Sequence, residues 1–138
     1  MNLPPWAEEL LAAPVARLAT TSAEGIPSIV PICFAIDGDI VWSVIDEKPK
    51  SGRPLKRIRN IEENPNVALL FDRYDNDWSK LAWVVLHGRA DVVSAADHPA
   101  ALALLRARYP RYEEMALESS QLVRIGVQTV VSWRASAS

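Results

Sequence analysis

Six cations stand within twelve residues: Lys48, Lys50, Arg53, Lys56, Arg57 and Arg59. No acid lies between Lys48 and Ile61. The net charge is −2, so without these six cations the rest of the chain sums to −8. Lys56 and Arg57 fall in the first turn of a helix that Pro54 opens, where the helix dipole disfavours cations by roughly a few tenths of a kcal/mol each. An anion at that terminus reverses the sign. Free backbone N–H groups, Ser51, Gly52 and the cations together would form a phosphate cradle. A solvated basic loop is the plain alternative, since no Walker-type glycine pattern accompanies the cluster.

Other chemistry-bearing residues are more ordinary. Asp72, Asp75 and Asp77 lack the glycine and the distal glutamate of a calcium loop and read as a turn of solvated carboxylates. His87 and His98 are isolated, and Cys33 lies in an apolar run that favours a buried thiol. Trp42, Trp78, Trp83 and Trp133 are core or interface candidates, and one or two of them could border a planar ring. No triad, acid–base pair or metal constellation emerges, so no catalytic side chain is assigned. That pattern suits a reaction whose hard step belongs to a cofactor.

The elements that must position these residues follow from periodicity and turn chemistry. A short helix follows Pro4 and Pro5 and stops at Pro14. Strands are expected over 15–21, 27–36, 39–45, 66–74, 81–93 and 122–133, with an Asp37-Gly38 hairpin between the second and third. Helices are expected over 54–64, with Leu55, Ile58 and Ile61 on one face, and over 95–108, with Asp97 as its cap. Gly88 marks a candidate bulge, and Ala135–Ser138 reads as a frayed tail. Consecutive hairpins imply a largely antiparallel sheet, and six such strands close most economically into a barrel. Ile29–Ile36 and Ala82–Leu86 are apolar on both faces, a surplus that points to a second copy covering part of the outside.

At 138 residues, with 49% apolar and 23% charged residues, the chain fits one domain spanning 1–138. The acidic balance argues against a nucleic-acid binder. A single cysteine, no basic leader and no long apolar run lead to the expectation of a cytoplasmic protein without a membrane segment.

The run ARLATTSAEGIPSIVPICFAIDGDIVWSV resembles the opening of the pyridoxamine-phosphate-oxidase-like (PPOX-class) split-barrel superfamily. The stretch LKRIRNIEENPNVALLFDRYDNDWSKLAWVVLHGRADV is similar to its branch dependent on the deazaflavin coenzyme F420, through an RNI…NP helix, a DxYDxDW segment and a WV…GRA strand. The likeness runs from about Val15 to Val93. It implies a mainly β fold, a six-stranded antiparallel Greek-key split barrel of the FMN-binding type with flanking helices. It also implies a homodimer with cofactor sites at the interface. Carried over by motif, the phosphate would lie by Lys50, Ser51, Arg53, Lys56 and Arg57. The ring would lie along Val30, Pro31, Ile32, Ser43 and Val44, and Trp78 of the partner copy would help close the site. Many relatives carry lysine three residues before the helix asparagine, where this chain has Arg57 with Lys56 beside it.

The implied activity is hydride transfer from coenzyme F420 to a small-molecule acceptor. Lys48 and Arg59 supply charge beyond what one phosphate needs, which ranks a coenzyme with an acidic tail above FMN. The alternatives are an FMN-dependent oxidase or reductase on the same fold, and a non-catalytic flavin, deazaflavin or haem binder.

Overall fold

A computed structural model describes residues 1–46 and 53–136. Seven strands form one sheet: β1 (Ala16–Thr21), β2 (Pro27–Ile32), β3 (Ala35–Asp37), β4 (Ile40–Ile45), β5 (Asn66–Arg73), β6 (Ala82–Ser94) and β7 (Gln121–Arg134). Their order is β2-β1-β5-β6-β7-β4-β3, and every pairing is antiparallel. The helices are α1 (Ala7–Leu11), α2 (Lys56–Glu63) and α3 (Pro99–Arg108).

The count of seven rather than six has a specific cause. The strand expected over 27–36 bends at Cys33-Phe34. Its first half pairs with β1 and its second half with β4. The two edges of the sheet are therefore the two halves of one strand, and the chain itself joins them into a split barrel. A bend inside a barrel wall must satisfy the backbone groups it frees. Here side chains do so. The Ser43 hydroxyl donates to the Cys33 carbonyl at 2.8 Å. The Tyr109 hydroxyl accepts from the Phe34 N–H at 2.9 Å. Its single proton is shared between the carbonyls of Pro14 at 2.9 Å and Phe34 at 3.0 Å. The Phe34 ring is fully buried, meets Phe71 edge-on with centroids 5.2 Å apart, and carries the Arg108 guanidinium 4.2 Å from its own centroid.

The barrel interior is filled by Leu18, Ile32, Val41, Leu69, Phe71, Val84, Leu86 and Ile125, with Leu10 and Leu11 of α1 and Ile58 and Ile61 of α2. A second, smaller core lies outside the wall, where Ala101, Leu102 and Leu105 of α3 cover Trp42, Val44 and Leu122. β4 is thus buried on both faces, and there the apolar surplus is met by the chain's own helix.

Several local expectations shift by a residue or two. The hairpin turn is Gly38-Asp39, because Asp37 pairs with Ile40; Gly38 takes φ +60°, the positive φ that a type II′ turn requires at its first central position. α3 begins at Pro99, not at Ala95, because proline is preorganised for the first helical position; Ala95–Asp97 is a separate 3-10 turn, and Asp97 caps nothing. The bulge at Gly88 is present: His87 pairs with Thr129 and Gly88 with Val127, so Gln128 is the extra residue. A Cβ on Gly88 would collide with the Gly126 carbonyl, which is why glycine stands there. The carboxyl-terminal segment is held at Ala135, whose N–H donates to the Leu81 carbonyl at 2.9 Å, so it does not fray from that residue. Among the described residues, no helix is long and apolar enough to cross a membrane.

Candidate functional site

α2 carries Lys56, Arg57 and Arg59 of the cationic cluster. Its apolar face, Ile58 and Ile61, packs into the barrel end, and a buried hydrogen bond from the Asn60 amide to the Thr20 hydroxyl at 3.0 Å fixes it against β1. With that face buried, Lys56 and Arg59 point outward. The helix starts after Leu55 with no side-chain cap and no acid in its first turn. An uncapped N-terminus flanked by cations attracts an anion. Lys56 and Arg59 line a cavity of about 330 Å³, bordered opposite by Ser22 and Ile26 of the β1–β2 turn. Two carboxylates, Glu24 and Glu63, also line it, and Glu63 accepts the Ala23 N–H at 3.3 Å. Arg53 is exposed just before the helix, and Arg57 is half-buried. Lys50 and Ser51 lie outside the described residues.

The residues proposed for the ring fall into two groups. Pro31 is exposed and Val30 half-buried on β2. Ile32 points into the barrel, Val44 lies beneath α3, and the Ser43 hydroxyl is engaged with Cys33. The side chains of Ile32, Ser43 and Val44 therefore serve the core and the bend. What these positions offer a ligand is backbone. β2 is an edge strand. β4 outruns β3: Trp42 pairs with Ala35, while Ser43–Ile45 pair only with β7. Two open backbone edges thus diverge from the Cys33-Phe34 bend, each with alternate N–H and C=O groups facing outward. Pro31 has no N–H to contribute on its side.

The mouth of this split ends at Asp46. Tyr112 donates its hydroxyl proton to the Asp46 carboxylate at 3.2 Å. Burial, then the Asp46 charge and the neighbouring Cys33, push the Tyr112 hydroxyl well above the ordinary tyrosine range, so it stays a donor. Tyr109 is raised as well, chiefly by burial. Neither tyrosine was singled out in the sequence. The only trace is Tyr109-Pro110, where proline ends α3 and sets both rings beside the bend.

The outer face of the barrel is the second component. Residues in register lie side by side on one face. Pro31, Arg17, Leu70, Val85 and Val131 form one row across five strands. Ile29, Ala19, Ala68, His87 and Thr129 form the next. Asp72, Trp83 and Trp133 continue the surface toward the barrel end. Ile29 is 64% exposed, Val131 43% and Trp133 45%, so this apolar surface is not covered by the chain itself. Trp78, in a 3-10 turn capped by Asp77, is 69% exposed at its margin. The Asp75 and Asp77 carboxylates build that turn by accepting the N–H groups of Asp77 and Ser79.

A barrel split by one bent strand, with a cationic helix closing one end, defines the split-barrel class. The family model described as pyridoxamine 5'-phosphate oxidase matches residues 4–134, and the chain belongs to that family. Among solved structures, the chain resembles the heme storage protein HutZ from Vibrio cholerae, with TM-score 0.70 and 17% identity over 97% of this chain and 95% of that one. It also resembles a FAD-binding protein from Mesorhizobium loti, with TM-score 0.68 and 22% identity over 94% of each chain. A structure described as an F420 reductase matches with TM-score 0.65 and 23% identity over 94% of this chain and 98% of that one. At these identities the likeness establishes the fold. No curated protein matches the chain.

Proposed function

We propose that the protein is an oxidoreductase that binds coenzyme F420 and transfers a hydride to a small-molecule acceptor, as a homodimer with two interfacial sites. The observation that carries this reading is the uncapped, acid-free start of α2, where Lys56 lines a cavity with Arg59. Lys56, together with Arg53, Arg57, Lys50 and Ser51, would hold the coenzyme's phosphate. Arg59, one turn further on, and Lys48 would face its acidic tail. The open backbone edges at Val30–Ile32 and Ser43–Val44 suit a planar heterocycle with its own donors and acceptors. The ring would lie against Pro31 and Val30, with the partner's outer face completing the slot and Trp78 at its margin.

When bound, the reduced coenzyme would supply the hydride, and the acceptor would take it up together with a proton from solvent. The chain's own residues bind, orient and exclude water. No side chain among those brought together at the split is placed as an acid or base toward the acceptor. FMN is the second reading, because it too carries a phosphate that the uncapped start of α2 would hold. The cation surplus favours the deazaflavin.

The Lys56→Ala/Arg57→Ala variant tests the anchor. Each lost charge-assisted hydrogen bond is expected to weaken F420 binding by about 1.5–3 kcal/mol, read by fluorescence titration. Wild-type affinity in the double variant, with its fold intact by circular dichroism, would remove α2 from the site.

A further inference from the structure

At the end of the barrel away from α2, β5 finishes, β6 begins and β7 finishes. Arg73 pairs with Ala82, and Ala82 pairs with Arg134, so the two arginines stand on one face with only a methyl group between them. Ala82 is buried in the barrel core, which places both arginines over the barrel mouth. Each is held by a contact that is not an acid. The Arg73 Nε donates to the Lys80 carbonyl at 2.7 Å. The Arg134 guanidinium lies 5.4 Å from the centroid of the Trp6 ring, at the start of α1. Lys80, from the turn before β6, is the third cation. Together they surround a cavity of about 500 Å³ floored by Leu81 and Ala135.

Acids compensate this cluster poorly. Glu9 reaches Arg73 at 3.6 Å from a side chain that is 79% exposed. Asp77 lies within the electrostatic reach of Lys80 but spends its carboxylate on Ser79. Among the described residues neither Lys80 nor Arg134 makes an ion pair. Three cations converging on one cavity repel each other, and a bound anion turns that repulsion into attraction. Guanidinium groups already oriented by a ring and a carbonyl offer Nη donors to oxyanions at a small further cost in entropy, although the Arg73 Nη1 also faces the exposed Glu9 carboxylate. The cavity is separate from the α2 cluster: Asn66 and Arg73, at opposite ends of β5, are about 23 Å apart at the rise of an extended strand.

We propose that this barrel mouth is a second anion site, which takes a small molecule bearing clustered oxyanions of the phosphate-monoester or dicarboxylate class. The test is an NMR titration of the full chain that follows the arginine Nε–Hε signals, assigned with Arg73→Gln and Arg134→Gln. Inorganic phosphate and succinate are the two probes, each added at constant ionic strength. The Arg73 and Arg134 signals are expected to shift together and saturate with one Kd, and the tighter probe identifies the class. Lys80→Ala should raise that Kd at least fivefold, and Arg134→Gln should abolish the response of Arg73. The proposal is overturned if neither signal saturates with either probe. It is equally overturned if Arg73 responds in Arg134→Gln as it does in the unaltered chain, or if Lys80→Ala leaves the Kd within twofold.

Discussion

Along β5 the side chains alternate between two apolar environments. Val67, Leu69 and Phe71 face the barrel interior and are buried, while Ala68 and Leu70 face outward and are half-covered. The inner set is saturated by the chain's own residues, from α1 at one end to α2 at the other. The outer set is extended by Ile29, Val85, Val131, Trp83 and Trp133, yet Arg17, His87, Thr129 and Asp72 are interspersed among them. Apolar anchors mixed with polar groups are the composition of an interface rather than of a core. The difference teaches that a strand with two apolar faces can mean two things here. On β4 the second face is covered by α3. On β5, β6 and β7 it stays exposed, and that contrast supports the proposed homodimer.

The comparison predicts unequal responses to substitution. Phe71→Ala, on the inner face, should cost about 3–5 kcal/mol in chemical denaturation. A cost below 1 kcal/mol would mean that the interior is not the tightly packed region described. Next in size is Tyr109→Phe, which strips the Phe34 N–H and carbonyl of their partner at the bend. The expected loss is about 1–3 kcal/mol, and a neutral result would show that the bend does not depend on that hydroxyl.

Tyr109 and Tyr112 also set a pH dependence. Both hydroxyls titrate higher in the folded chain than the ordinary value of 10.0. The folded state therefore holds protons that the unfolded chain releases. Their contribution is complete below pH 10 and falls as pH rises above it. The urea midpoint should drop between pH 9 and pH 11, and by less in Tyr112→Phe. A flat profile would contradict the assignment of buried, protonated tyrosines. The smallest effect on stability belongs to the outer face. Ile29→Asp combined with Val131→Asp should change monomer stability by no more than about 0.5 kcal/mol, while converting a dimer to a monomer in sedimentation velocity. A variant that unfolds, or that keeps the mass of the unaltered chain, breaks the contrast between the two faces.

Much of this architecture was readable from residue patterns, because alternation, prolines and glycines act locally. Gly88 announced the bulge, Pro54 and Pro65 bracketed α2, and the cationic run directed attention to the start of that helix. The seventh strand was not readable. The bend at Cys33-Phe34 is held by Ser43 and Tyr109, and Tyr109 is distant in sequence, its one local trace being the proline that follows it. Ser43 and Val44 come forward as ring contacts only through the family resemblance, and the packing of their side chains on Cys33 and beneath α3 has no signal along the chain. The row formed by Arg73, Ala82 and Arg134 depends on register across three strands, which spacing along the chain does not encode.

The most direct test of the central claim is a side-by-side fluorescence titration of cofactor-free protein with coenzyme F420 and with FMN. The account predicts saturable F420 binding at one equivalent per chain, tighter than FMN, and lost in the Ile29→Asp/Val131→Asp variant because the partner's face is missing. Tighter binding of FMN would contradict the deazaflavin assignment, and binding of neither would contradict the cofactor site itself.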